Sequence, residues 1–247
     1  MLNIQNLSTI FPDGTRALSN INLTIERGEF LVIAGKNGSG KTVLMKHLNG
    51  LLKPTSGQVL LYGKPVLKHL VWARQMIGLV FQNPDSQFLG QTVEDDIAFG
   101  PKNLNLQSKE VSRRVNNALE ETGLLGLREK LPHSLSGGEK QKCAIAGVLA
   151  MNPEIIIFDE PFTQLDFPGV QQVLEQIISL HRKGKTIIVI THDLEKVLAH
   201  ATRLVILKEG HIVFDGLPEQ GIETAIKFDI YKPYDRTRKL GTYTWLR

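Results

Sequence analysis

The amino-acid sequence predicts an α/β protein with a mainly parallel sheet core, an antiparallel β segment at its N-terminal end and a helical part inserted between strands. Three observations carry this. Continuous apolar runs of strand length at 30–34, 155–158, 186–190 and 204–207 are what strands buried on both faces require. Residues 1–25 instead alternate (Leu2, Ile4, then Leu18, Ile21, Leu23, Ile25) around a turn at Pro12-Asp13-Gly14, as antiparallel strands with one solvated face do. From about Asn83 to Leu135 the strand runs vanish, and 93–99, 111–119 and 124–127 show helical spacing.

In chain order, Arg27-Gly28-Glu29 turns into the run 30–34, and a helix is expected from about 40 to 51, stopped by Lys53-Pro54-Thr55-Ser56-Gly57. Strands are expected at 59–62 and 77–81, then the helical insert, then a helix from Ser136 to about Ala150. Helical segments separate the remaining strands. After Gly216 the pattern weakens, and Tyr231, Tyr234, Arg236, Arg238, Lys239, Tyr243, Trp245 and Arg247 show no clear period. These residues are expected to form a packed or frayed extension rather than a membrane-surface or partner contact. The expected division is a domain over 1–216, with its helical subdomain at about 83–150, and a short extension over 217–247.

Composition narrows the function classes. With 42% hydrophobic and 22% charged residues in 247, the chain is neither disordered nor collagen-like. No run approaches the ~18 apolar residues of a membrane span, and the N-terminus lacks a basic region followed by an apolar core, so secretion is not expected. A single cysteine, Cys143, excludes a disulfide framework and is expected as a small buried hydrophobe rather than a reactive thiol. The net charge of +4 is dispersed, so no nucleic-acid partner is expected.

Gly35-Lys36-Asn37-Gly38-Ser39-Gly40-Lys41-Thr42 fits G-x-x-x-x-G-K-S/T, directly after one apolar run and at the start of a helix. Glycines let successive N–H groups turn toward phosphate oxygens, Lys41 is expected to reach the β- and γ-phosphates, and the Thr42 hydroxyl to ligate Mg²⁺. A second run ends in Asp159-Glu160-Pro161. Ligands of open α/β sheets sit at the carboxyl ends of strands, so Asp159 is expected to hold Mg²⁺ through water and Glu160 to polarise the attacking water. Ser136 and Glu139, in Leu135-Ser136-Gly137-Gly138-Glu139, have capping-box spacing, and Gly137 and Gly138 leave a phosphate room at the helix end. Alone this is a capped helix. Beside a first phosphate-binding helix it suggests two copies facing each other.

These residues resemble the nucleotide-binding subunits of ATP-binding cassette (ABC) transporters. The resemblance covers about residues 2–216 and also takes in Gln82 of Phe81-Gln82-Asn83-Pro84, Leu165-Asp166 and Thr191-His192-Asp193, in the family's order. It implies a P-loop NTPase fold of the ABC type, with two subunits sandwiching two ATP molecules head to tail. It assigns Ser136, Gly137 and Gly138, followed by Glu139, to the γ-phosphate of ATP held by the partner's phosphate loop. Gln82 is assigned to Mg²⁺ and the attacking water, His192 to the γ-phosphate and Asp166 to cross-dimer contacts. Phe11 matches the aromatic that stacks on adenine, although an apolar strand-end residue would look the same. The stretches 81–88 and 91–101 are similar to the ATPases of energy-coupling factor importers, including the cobalt and nickel type, which take up vitamins or transition-metal ions. Lys142, Cys143 and Thr163-Gln164 depart from the usual pattern, and the extension after Gly216 is shorter than in many of these ATPases.

The function implied is an ATPase using Mg²⁺ with ATP as substrate, powering import of a small solute at the cytoplasmic face of the cell membrane. Its implied partners are a second ATPase subunit (homodimer or heterodimer), integral membrane transport subunits and a substrate-binding membrane component. The competing class is a soluble ABC ATPase acting on nucleic acid or ribosomes. Chromosome and repair members insert long coiled coils between the phosphate loop and Ser136, and here that stretch is short and free of sustained heptads. Translation-associated members carry two cassettes, and one is present here. A nucleotide-gated regulator without hydrolysis conflicts with Glu160.

Overall fold

The computed structural model describes residues 1–231 and 239–246; Tyr234, Arg236, Arg238 and Arg247 lie outside the described residues. Strands β1 (Leu2–Ile10), β2 (Arg16–Ile25), β4 (Ser56–Leu61) and β5 (Lys64–Pro65) form an antiparallel sheet in the order β2-β1-β4-β5. The second sheet contains β3 (Phe30–Ala34), β6 (Ile77–Val80), β7 (Ile155–Asp159), β8 (Thr186–Thr191), β9 (Arg203–Lys208) and β10 (His211–Gly216). Its order is β10-β9-β3-β8-β7-β6, parallel throughout except for β10.

Because side chains alternate across a strand, the buried parallel strands feed two cores. Leu31, Ile33, Ile188, Ile190, Val205 and Leu207 pack with the antiparallel sheet and with helix α1 (Lys41–Leu48). Val32, Ala34, Ile187, Val189, Leu204 and Ile206 face the opposite way, toward the helices. This explains why these strands read as continuous apolar runs while β1 and β2 alternate. Each fully buried Leu or Ile is worth roughly 1.5–3 kcal/mol relative to exposure.

A short helix, α2 (Leu70–Met76), precedes β6. Helices α3 (Val93–Asn103), α4 (Ser108–Thr122) and α5 (Gly137–Ala150) pack on one another and join the second core. Local chemistry sets their ends. The Thr92 hydroxyl accepts from the Asp95 N–H (3.1 Å) to start α3, Gly123 ends α4 at φ 68°, and Val111, Val115, Ala118 and Leu119 form the buried stripe of α4. Cys143 lies fully buried in α5, and burial pushes its thiol up to about 12. Helices α6 (Phe167–Arg182) and α7 (Pro218–Lys227) complete the fold. Among the described residues no helix is long and apolar enough to cross a membrane.

The structure differs from the sequence expectations in short elements. Residues 125–127 form a single 3₁₀ turn rather than a helix, and α1 ends at Leu48. Helix α2 has only seven residues, one of them buried, and so presents no period. Helix α7 buries only Pro218, Gly221 and Ala225, small residues that give little apolar signal. Of the tail aromatics, Tyr231 and Tyr243 are buried, so this part of the extension is packed rather than frayed.

One buried polar link ties β1 to the helix that follows the phosphate loop. His47 Nδ1 donates to the Leu52 carbonyl (2.9 Å), which fixes the tautomer, so Nε2 accepts from the Thr9 hydroxyl (2.7 Å). Burial lowers the imidazole pKa below its ordinary 6.5. The unfolded chain therefore binds this proton before the folded one, and stability declines as pH falls below 6.5. Denaturant midpoints measured at pH 7.5 and 5.5 should fall less in His47→Gln than in the parent. Cys143 should resist a thiol reagent in the native state and label only with unfolding, as timed by mass spectrometry.

Candidate active site

The ends of three adjacent strands converge. β3 leads into residues 35–40, β7 into Asp159 and Glu160, and β8 into Thr191 and His192, with β8 paired to both neighbours. Gly40 has φ 102°, and a Cβ there would lie 2.6 Å from the Ala17 carbonyl oxygen; one on Gly35 would lie 2.4 Å from that of Leu207. Only glycine permits the loop to pass so close to β2 and β9. Gly40 caps α1 without a side chain, and no acid occupies the first turn, so its N–H groups and positive dipole end suit an anion.

The Lys41 ammonium is buried and donates to the carbonyls of Gly35 (2.7 Å) and Lys36 (3.1 Å). Burial lowers its pKa, while the charges of Glu160 and Asp159 act in the opposite direction. Ser39 Oγ is buried without a hydrogen-bond partner among the described residues. Asp159 Oδ2 accepts from the Thr42 hydroxyl at 3.3 Å, and Oδ1 is buried with no partner among the described residues. Burial raises the Asp159 pKa, and the charge of Glu160 adds to this.

Glu160 sits at φ 47°, a left-handed conformation unusual outside glycine and worth of order 1–3 kcal/mol of strain. Its N–H donates to the Ile190 carbonyl (2.8 Å), holding the turn against β8. The carboxylate accepts from His192 Nδ1 (2.9 Å), the Thr191 hydroxyl (3.1 Å) and, more weakly, the His192 N–H (3.4 Å). These donors orient the carboxylate at the wall of a cleft of about 570 Å³. Asn37, Gly38, Ser39, Gly40, Lys41 and Thr42 line this cleft together with Phe11, Gln82, Glu160 and His192. Nearly every residue assigned to one ATP site is thus brought together, Phe11 and Gln82 included. Lys36 is exposed and turned toward Asp229, with which it pairs at 3.7 Å.

Ser136, Gly137 and Gly138 line a separate cleft of about 300 Å³ with Gln164, Leu165 and Asp166. Ser136 and Glu139 form the expected capping box: the Ser136 N–H donates to Glu139 Oε2 (2.8 Å), and Ser136 Oγ accepts from the Glu139 N–H (3.4 Å). Asp166 has a local task as well, accepting from the Gly169 N–H (2.9 Å) to cap α6. No residue lines both clefts. Sequence reasoning did not single out Thr191 as a Glu160 partner, nor Thr15, Arg16 and Thr163 as cleft residues. For Thr191 the available signal was its position at the end of a buried strand, directly before His192.

The chain matches the family model described as "ABC transporter" over residues 18–163. It is 49% identical over 221 residues to the energy-coupling factor transporter ATP-binding protein EcfA of Methanosarcina acetivorans, covering 89% of this chain and 80% of that protein. It is 44% identical over 229 residues to EcfA of Methanocaldococcus jannaschii, covering 90% and 82%. Among solved structures it resembles CbiO1 of Clostridium perfringens, part of the ABC transporter complex cbiONQ, with TM-score 0.82, 40% identity and 92% of each chain covered. The dimeric, post-hydrolysis ATP-binding cassette MJ0796 bound to ADP and Pi matches with TM-score 0.79 and 30% identity, covering 88% of this chain and 99% of that one. A phosphate loop, a strand-end pair of acids and a histidine-held glutamate on this fold have one joint reading: the chain belongs to the ABC transporter family, as an ATP-hydrolysing subunit of the energy-coupling factor type.

Proposed function

We propose that two copies of this chain hold two ATP molecules head to tail, and that closure and reopening of this dimer power import of a small solute, a vitamin or a transition-metal ion. The dimer would work at the cytoplasmic face of the cell membrane with integral membrane transport subunits and a substrate-binding membrane component. The ATP-binding domain would occupy 1–216, with its helical subdomain at about 83–150 and an extension at 217–247. The observation that carries the dimer is the separation of Ser136, Gly137 and Gly138 from the cleft that holds Lys41 and Glu160.

Within each site Phe11 would stack on adenine, a contact of about 1–3 kcal/mol if it resembles other base stacking. The loop from Gly35 to Thr42 would cradle the phosphates, with Lys41 exchanging its two carbonyls for β- and γ-oxygens. Glu160 would take the proton of the attacking water, and His192 would contact the γ-phosphate. From the partner, Ser136, Gly137 and Gly138 would approach the same phosphate, with Glu139 fixing the helix end and Asp166 contacting across the dimer. Mg²⁺ fits the residues present: Asp159 Oδ1 is buried and has no partner among the described residues, Thr42 Oγ1 lies beside Oδ2, and both are hard oxygen donors. Thr42, Gln82 and, through water, Asp159 would hold it, and its charge would offset that developing on the phosphates.

Coupling to the membrane would use a groove between the parallel sheet and helices α3 and α5, whose apolar lining includes Leu51, Leu79, Phe81, Leu89, Phe99 and Met151. Leu51, Leu89 and Phe99 are exposed, an arrangement suited to an apolar helix of a partner.

Glu160→Gln should keep ATP binding and lower turnover by about 10²–10⁴-fold; unchanged turnover would remove Glu160 from the role of base. Phe99→Glu should leave ATP hydrolysis by the isolated chain unaltered and abolish co-purification with polytopic membrane proteins. Recovery of the parent with nucleic acid or ribosomes instead would overturn the transport assignment.

A further inference from the structure

The described part of the extension lies against the active-site loops. The Ala199 N–H donates to the Tyr243 carbonyl (3.0 Å), and His200 Nε2 and the Thr244 hydroxyl are hydrogen-bonded at 2.7 Å. These contacts seat residues 243–244 on the segment that follows His192. The next residue, Trp245, reaches across to a different loop. Its ring lies 5.2 Å from that of Phe167, centroid to centroid, and its carbonyl accepts from Gln171 Nε2 (3.0 Å). Phe167 and Gln171 are one turn apart at the start of α6, the helix that Asp166 caps.

The other face of the contact is charged. Lys196 Nζ stands 4.7 Å from the centre of the Trp245 ring and 2.9 Å from Asp193 Oδ2. The Asp193 N–H donates to Thr191 Oγ1 (3.0 Å), and that hydroxyl donates to Glu160 Oε2 (3.1 Å). A continuous chain of contacts therefore runs from Glu160 through Thr191, Asp193, Lys196 and Trp245 to Phe167, the neighbour of Asp166. The Lys196 side chain is only 14% exposed, so its cation–π contact is partly desolvated and worth more than an open one.

We infer that Trp245 is a positioning residue for ATP hydrolysis, fixing the His192 loop of a chain's own site relative to the Asp166 loop that the same chain offers to its partner's site. The inference rests on the two-chain arrangement proposed above and adds to it a link between the two sites. Trp245 touches neither nucleotide cleft, so its effect falls on geometry and not on the binding of ATP to a single chain.

The test uses the full chain with Trp245→Ala, Trp245→Phe and Lys196→Met, measuring kcat and the affinity for a fluorescent ATP analogue. Trp245→Ala and Lys196→Met should hold affinity within about twofold and lower kcat about tenfold. Trp245→Phe, which keeps a ring between Phe167 and Lys196, should recover kcat to within about threefold of the parent. The inference is overturned if Trp245→Ala keeps the parent kcat, if affinity and kcat fall together, or if Trp245→Phe does no better than Trp245→Ala. Full ATP turnover by a species that light scattering shows to be monomeric would overturn the two-chain arrangement itself, and this inference with it.

Discussion

The ammonium of Lys41, buried at the loop between β3 and α1 and faced by the carboxylates of Asp159 and Glu160, is the constraint around which the molecule is organised. An unpaired charge in such a place would cost several kcal/mol, so the three groups must be held at fixed separations with their hydrogen bonds made. The sheet does this. Registers of Ala34 with Thr191 and of Asp159 with Ile190 align the carboxyl ends of β3, β8 and β7, and each end delivers one part of the site. Two-sided apolar packing keeps those ends from shifting. The strained turn at Glu160 is held by the Ile190 carbonyl and the donors of Thr191 and His192.

Lys41, Glu160 and His192 converge on one cleft, while Ser136 and Gly138, at the capped start of α5, open on another. A second copy related by a two-fold axis would bring one cleft to the other, twice over. Asp166 then has a double position: its carboxylate caps α6 within the chain, and its loop borders the cleft of Ser136. Movement of that loop would alter the partner's site, and the Trp245 contacts are the physical route by which it is joined to His192.

What was legible in the sequence divides by the range of the interaction. The phosphate loop, the capping box and the strand-end acids are local patterns, and each landed where its spacing placed it: residues 35–40 between β3 and α1, Ser136 at a helix start, Asp159 at the end of β7. The parallel strands were legible because burial on both faces writes itself as continuous Val, Ile and Leu. Helix α2 was too short to show a period, and α7 buries small residues. The Thr191–Glu160 bond depends on β8 pairing with β7, a contact between distant segments that spacing does not encode. Trp245 was hidden for the same reason, since its partners Phe167 and Lys196 lie far away in an aperiodic stretch.

The central claim is that each ATP is hydrolysed by groups from two copies of the chain, and subunit complementation tests it most directly. Lys41→Ala removes the phosphate-loop ammonium. Gly138→Asp places a carboxylate where the partner's phosphate would approach, with room for its Cβ, 3.5 Å from the Gly169 Cα, and with a charge that suits a helix N-terminus. Each variant alone should be inactive. Mixed in equal amounts as dissociated subunits and allowed to pair at random, half of the dimers pair an intact loop with an intact Ser136 helix, so ATPase activity should return to about a quarter of the parent level. A mixture as inactive as its components, with both variants folded and dimeric, or full activity in Gly138→Asp alone, would contradict the account.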